Sequence, residues 1–213
     1  MESENLCFDL DLIADAFDIQ RVEKCEHLDS WMAATYDLTD SENEIIDQLH
    51  ADMSDFGDYL NEEELKIQFV GSAFLVARVN VPHKIRVFYE RGMSATVNNY
   101  ELSVISDCLI ASPKRFNAPQ RPYFFLQEFK KGKGEKVDPE AQMMVAMLIA
   151  QEKNQDNYPI YGGYLVGRNW IFTTLLGNNY CVSRQFDATK RADICQIIFN
   201  LRQIKAIVLK REE

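Results

Sequence analysis

The chain has 213 residues, of which 46% are apolar and 26% charged, with nine glycines and six prolines. That composition excludes collagen, mucin-like and wholly disordered classes, and it supplies enough apolar side chains for a sizeable core. The formal net charge is −10, from 23 basic and 33 acidic residues, and it is unevenly spread. Residues 1–64 hold twenty of the acids and only two bases, Arg21 and Lys24; the rest of the chain holds 21 bases and 13 acids. An acidic front of −18 therefore precedes a basic body of +8, which can attract phosphate while the front shields it or docks a partner.

The longest apolar run, Met143 to Ala150, is far too short to span a bilayer. The N-terminal MESENLCFDLDLIADAFD is acidic where a signal peptide needs a basic start and a long apolar stretch. A cytoplasmic location with no membrane contact is the expectation. The five cysteines (Cys7, Cys25, Cys108, Cys181, Cys195) are widely spaced and form no CxxC pair, so neither a disulfide framework nor a structural zinc site is expected. His27, His50 and His83 are scattered and offer little to a histidine metal site or a catalytic triad.

In chain order, Leu6, Leu10, Ile13, Ala14 and Phe17 recur at helical spacing. A short helix is expected from about His27 to Thr35. A third starts after Thr39, whose hydroxyl can cap it, with Ile45, Ile46, Leu49, Met53 and Phe56 as its apolar stripe. A fourth begins near Asn61 and carries Leu65, Phe69, Ala73 and Val76 on one face. After Pro82 the texture changes to strands: KIRVFYERG, then SATVNNYELSVISDCLIA with a hairpin turn at Asn98-Asn99. A basic loop, SPKRFNAPQRP, leads to a third strand, YFFLQEFKK. Asp138 and Pro139 then open a helix to about Lys153, apolar all round and so buried. Strands follow at PIYGGYLVG, NWIFTTLLG and NYCVSRQF, and a last helix runs from about Lys190 to Val208.

The strand at 123–131 is the most informative. Tyr123, Phe125, Gln127 and Phe129 lie on one face, and Phe124, Leu126, Glu128 and Lys130 on the other. Both faces open apolar, which marks a central strand covered on both sides. Glu128 and Lys130 then point the same way at a buried edge, which is costly without a partner, metal or ligand. Asp107 on the preceding strand shares a parity with Ile105, Leu109 and Ala111. If the two strands pair, Asp107 and Glu128 converge with Lys130 beside them. Two carboxylates and a lysine at a sheet edge suit magnesium and phosphoryl chemistry. The plainer reading is an ion pair at a strand end, with Asp107 capping a turn.

These residues resemble a known group. ISD at 105–107, followed by EFK at 128–130, is similar to the PD-(D/E)XK nuclease superfamily, as is the stretch YFFLQEFKKGKGEKVDPEAQMMVAMLIAQE, which resembles small bacterial proteins of that type. The resemblance covers about residues 61–208, and Ser106 stands where the motif usually has proline. It implies an α/β (α+β) fold: a restriction-endonuclease-like core with a central mixed sheet flanked by helices, here at 61–213 behind an acidic helical extension at 1–60. It implies that Asp107 and Glu128 bind Mg²⁺ or Mn²⁺ and that Lys130 assists hydrolysis of a nucleic-acid phosphodiester, DNA foremost. Many members add a helical glutamate, for which Glu62 fits best and Glu63 second, and some add a glutamine, near which Gln142 stands. Lys114, Arg115 and Arg121 before the strand, with Lys131, Lys133 and Lys136 after it, are candidates to offset the phosphates of a nucleic acid; the plainer reading is two ordinary solvated loops. Many such nucleases act as homodimers. The alternative is a catalytically inactive binding or regulatory module on the same scaffold, whose acidic N-terminal segment docks a protein partner.

Overall fold

The computed structural model describes residues 9–130 and 138–211, without the side chains of residues 125–128 and 130. The protein is a mixed α/β structure built on one eight-stranded sheet.

The front is helical. α1 (Leu10–Phe17) starts at Asp9, whose carboxylate accepts the backbone N–H groups of Asp11 and Leu12. A two-residue strand follows, β1 (Gln20–Arg21), and then α2 (Glu26–Met32). α3 (Asp40–Phe56) has the capping box that Thr39 foreshadowed, closed reciprocally with Glu42. Its buried face is Ile46, Leu49 and Met53; Ile45 and Phe56 point outward, so the apolar stripe is narrower than expected. α4 (Glu62–Glu64) runs into a π-helical turn, Leu65–Val70, and then into α5 (Gly71–Ala77).

The body follows the expected order with longer strands. β2 (Arg86–Val97) and β3 (Tyr100–Pro113) meet at Asn98 and Asn99, both at positive φ as a tight hairpin requires. β4 (Pro119–Lys130) begins four residues earlier than expected, so Arg121 stands on a strand and only residues 114–118 form the loop. α6 (Pro139–Asn154) leads to β5 (Ile160–Val166), β6 (Asn169–Leu176), β7 (Asn179–Val182), β8 (Phe186–Asp187) and α7 (Arg191–Arg211). The expected last strand is thus split in two. Ser183 causes the break: its N–H donates to the Phe172 carbonyl at 2.8 Å, and its hydroxyl accepts the Phe172 N–H at 2.9 Å.

The sheet order is β1-β7-β6-β5-β4-β3-β2, with β8 also on β6. β1 runs parallel to β7 and β5 parallel to β4; the other pairs are antiparallel. α6 makes the crossover that a parallel β4–β5 pair needs. β4 lies inside the sheet, as expected, but Phe124 and Phe129, expected on opposite faces, both join the core on the α7 side, because the register shift between Ile110–Phe125 and Ala111–Tyr123 breaks the alternation at Phe124.

One core lies between the sheet and α6, with α1 closing it through Ile13 and Phe17. The other lies on the opposite face, where α2, α3, the π turn, α5 and α7 pack. Leu28, Trp31, Ile46, Leu49 and Met53 from the first sixty residues belong to this second core. The acidic front therefore shares both cores with the body and adds an edge strand to its sheet. Gly162 sets the approach of α6 to β5, because a Cβ there would lie 2.9 Å from Met143 Sδ and 3.1 Å from Thr173 Oγ1. Among the described residues, no helix is long and apolar enough to cross a membrane.

Candidate functional site

Asp107 lies inside β3, 8% exposed, between two interrupted ladders. Toward β2, Tyr89 pairs with Cys108 and Arg91 with Ser106, while the rung between them, Glu90 with Asp107, is skipped. Glu90 has φ 51°, a left-handed conformation that is unusual for a non-glycine residue inside a strand. Toward β4, the ladder ends at Cys108–Gln127. One residue further in that register, Glu128 stands opposite Asp107 along the backbone. There the strands part, and the Phe129 N–H donates to Asp107 Oδ2 at 2.8 Å instead of to a β3 carbonyl. A carboxylate has thus taken over a sheet hydrogen bond at the point where β3 and β4 diverge.

A lysine that the sequence reading passed over completes this region. Lys66 lies in the π-helical turn, with its side chain only 9% exposed. Its ammonium reaches Glu90 Oε1 at 2.5 Å and Glu63 Oε1 at 3.3 Å. Burial alone would lower its pKa. The hydrogen bond to Glu90, the charges of Asp107 and Glu90, and the bond to Glu63 outweigh that, so the ammonium is held above its ordinary value. Lys66 carries the charge that balances three carboxylates from a helix, β2 and β3. The π turn makes its burial possible: the Gly71 N–H reaches back five residues to the Lys66 carbonyl, and the widened turn buries Leu65 and Lys66 side by side.

The other expected residues divide as follows. Glu62 is half-buried at the start of α4, one residue before the Glu63 that contacts Lys66. Gln142 is on the first turn of α6; its Oε1 is buried and makes no hydrogen bond among the described residues. The backbones of Glu128 and Lys130 lie on β4 beside Tyr164 and Val166 of β5, but their side chains fall outside the described residues. Lys131, Lys133 and Lys136 fall outside them altogether. Lys114 and Arg115 are exposed in the β3–β4 loop, and Arg121 is exposed on β4.

A second polar group stands on the α6 side. Tyr164, the parallel-ladder neighbour of Glu128, donates its hydroxyl to Glu140 Oε2 at 2.9 Å. Arg21 of β1 approaches the other oxygen of Glu140 at 4.0 Å. Burial, then the charge of Glu140, push the Tyr164 hydroxyl pKa up, so it remains a proton donor. Neither Lys66, Glu90 nor Tyr164 carries a sequence signal, because each is brought in by register or by the π turn.

Among the described residues no three His, Cys, Asp or Glu side chains form a group that could hold a metal ion; Glu128 lies outside that comparison. No protein-family model matches the chain. No curated protein matches it either.

Proposed function

We propose that the chain is a Mg²⁺-dependent nuclease-like hydrolase of nucleic-acid phosphodiesters, with a restriction-endonuclease-like core and a cytoplasmic location. The observation that carries this reading is Asp107 between two broken rungs, with Glu128 next in register where β4 parts from β3 while staying paired with β5. A carboxylate buried in a strand is costly unless it is paired, hydrogen-bonded or bound to a metal. The chain order around it, three antiparallel strands, a helix and a parallel strand, is the order that the resemblance implies.

The donor set suits the metal. Asp107, Glu128 and Glu62 offer hard carboxylate oxygens and no sulfur or imidazole, which is Mg²⁺ or Mn²⁺ chemistry. Bound there, the ion would lower the pKa of a coordinated water and offset charge on the attacked phosphate. The chain's own groups do the rest. The Phe129 N–H fixes the Asp107 carboxylate. Lys130 orients the water and balances charge on the phosphate. Lys66 holds Glu63 and Glu90 by ion pairs, and Gln142 offers a polar contact from α6. Lys130→Ala is expected to abolish Mg²⁺-dependent cleavage and leave the fold intact by circular dichroism. Retained cleavage by that variant would overturn the assignment.

A second reading keeps the scaffold without catalysis, as a regulatory or binding module whose acidic front docks a partner. Lys66 favours it, since an ammonium among these carboxylates already does the neutralising work of a metal. Divalent-ion binding that depends on Asp107 and Glu128 separates the two.

A further inference from the structure

An open groove of about 1000 Å³ runs between α5, the loop after it, the start of β2 and the β3–β4 loop. Its lining includes His83, Arg86, Lys114 and Arg115. The two segments that line it, residues 71–89 and 113–117, contain no carboxylate, although the chain has 33. The groove is thus a basic channel in an acidic molecule, and that contrast selects a polyanion.

Its aromatic side chains narrow the choice. Tyr89 lines the groove and is partly exposed. Phe116 lies between two lining residues and is 89% exposed, with the Arg115 guanidinium 5.7 Å from its ring centroid. A duplex keeps its bases stacked inside and could use only the cations; an unpaired strand also offers base faces to the rings. The groove also leads to the site: Tyr89 is paired with Cys108, and the next residues on the two strands are Glu90 and Asp107. We propose that the groove binds single-stranded nucleic acid, its phosphates on Arg86, Lys114 and Arg115 and its bases against Phe116 and Tyr89, and delivers the strand to Asp107. The delivery rests on the hydrolase reading; the binding does not.

Fluorescence anisotropy of the full chain in EDTA tests it, with a labelled mixed-sequence single strand and the duplex of the same sequence as probes. The single strand should bind about tenfold tighter than the duplex. The combined variant Arg86→Gln, Lys114→Gln, Arg115→Gln should weaken binding and flatten the slope of log affinity against log salt by about two. Phe116→Ala, at an exposed position, should weaken single-strand binding about tenfold with the slope unchanged. Equal or tighter duplex binding, no single-strand binding, or wild-type affinity in these variants would overturn the groove assignment. Asp107→Asn separates the two ideas. If it loses Mg²⁺-dependent cleavage while the groove variants bind as wild type, the groove is wrong and the hydrolase stands. If the groove variants lose binding and wild type cleaves nothing, the groove stands and the hydrolase is wrong.

Discussion

The backbone N–H of Phe129 ends on Oδ2 of Asp107, 2.8 Å away, where a regular sheet would give it a main-chain carbonyl. One bond thus anchors the end of β4 and orients the carboxylate. Asp107→Ala removes the acceptor and leaves a buried N–H unpaired, which costs about 1–3 kcal/mol. Asp107→Asn keeps an acceptor of the same shape and should cost clearly less. Urea unfolding of both variants checks this; equal losses would mean that the hydrogen bond does not hold the strand.

The front of the chain is a second point of test. Trp31 is 1% exposed, donates its indole N–H to the Asn200 carbonyl at 2.7 Å, and meets Tyr161 and Phe172 edge-on at 5.0 and 4.9 Å. It ties α2 to α7 and to the sheet. Trp31→Ala should destabilise the whole molecule by about 3–5 kcal/mol, in one cooperative transition. An unchanged unfolding midpoint for the body would show the first sixty residues to be a separable appendage.

The pH response of α7 follows from Asp193. Its carboxylate accepts from Arg184 at 2.7 Å and from the Asp187 N–H at 2.9 Å. Burial works to raise its pKa, but these bonds and the Arg184 charge hold it below the usual carboxylate value. A carboxyl with a lower pKa in the folded state stabilises above its unfolded value, about 3.9, and loses that contribution as pH falls through the folded value. Asp193→Ala should cost about 2 kcal/mol at neutral pH. The gap to wild type should close as pH drops below about 4. A gap of constant size would mean that ionisation is not its source.

Much of this was legible from local patterns, and the missing parts were not local. Thr39, Asp138 with Pro139, and Asn98-Asn99 each specify a cap or turn within a few residues, and each is found. The two apolar faces of β4 announced an interior strand, and Asp107 on a buried parity announced a polar interruption. Lys66 was passed over, because nothing near it in the sequence marks the i→i+5 turn in which it is buried beside Leu65 or the strand glutamate it meets. Glu90 stood in a strand pattern that gave no hint of a skipped rung. β1 is two residues long, too short for any periodicity to mark, so the joining of the acidic front to the sheet was invisible.

The most direct test of the proposed chemistry is a Mn²⁺ titration followed by electron paramagnetic resonance, on wild type, Asp107→Asn and Glu128→Gln. A shared carboxylate site predicts that wild type binds the ion and that each substitution alone removes the binding, with the fold intact. Wild-type protein that leaves Mn²⁺ free, or variants that bind it undiminished, would contradict the site.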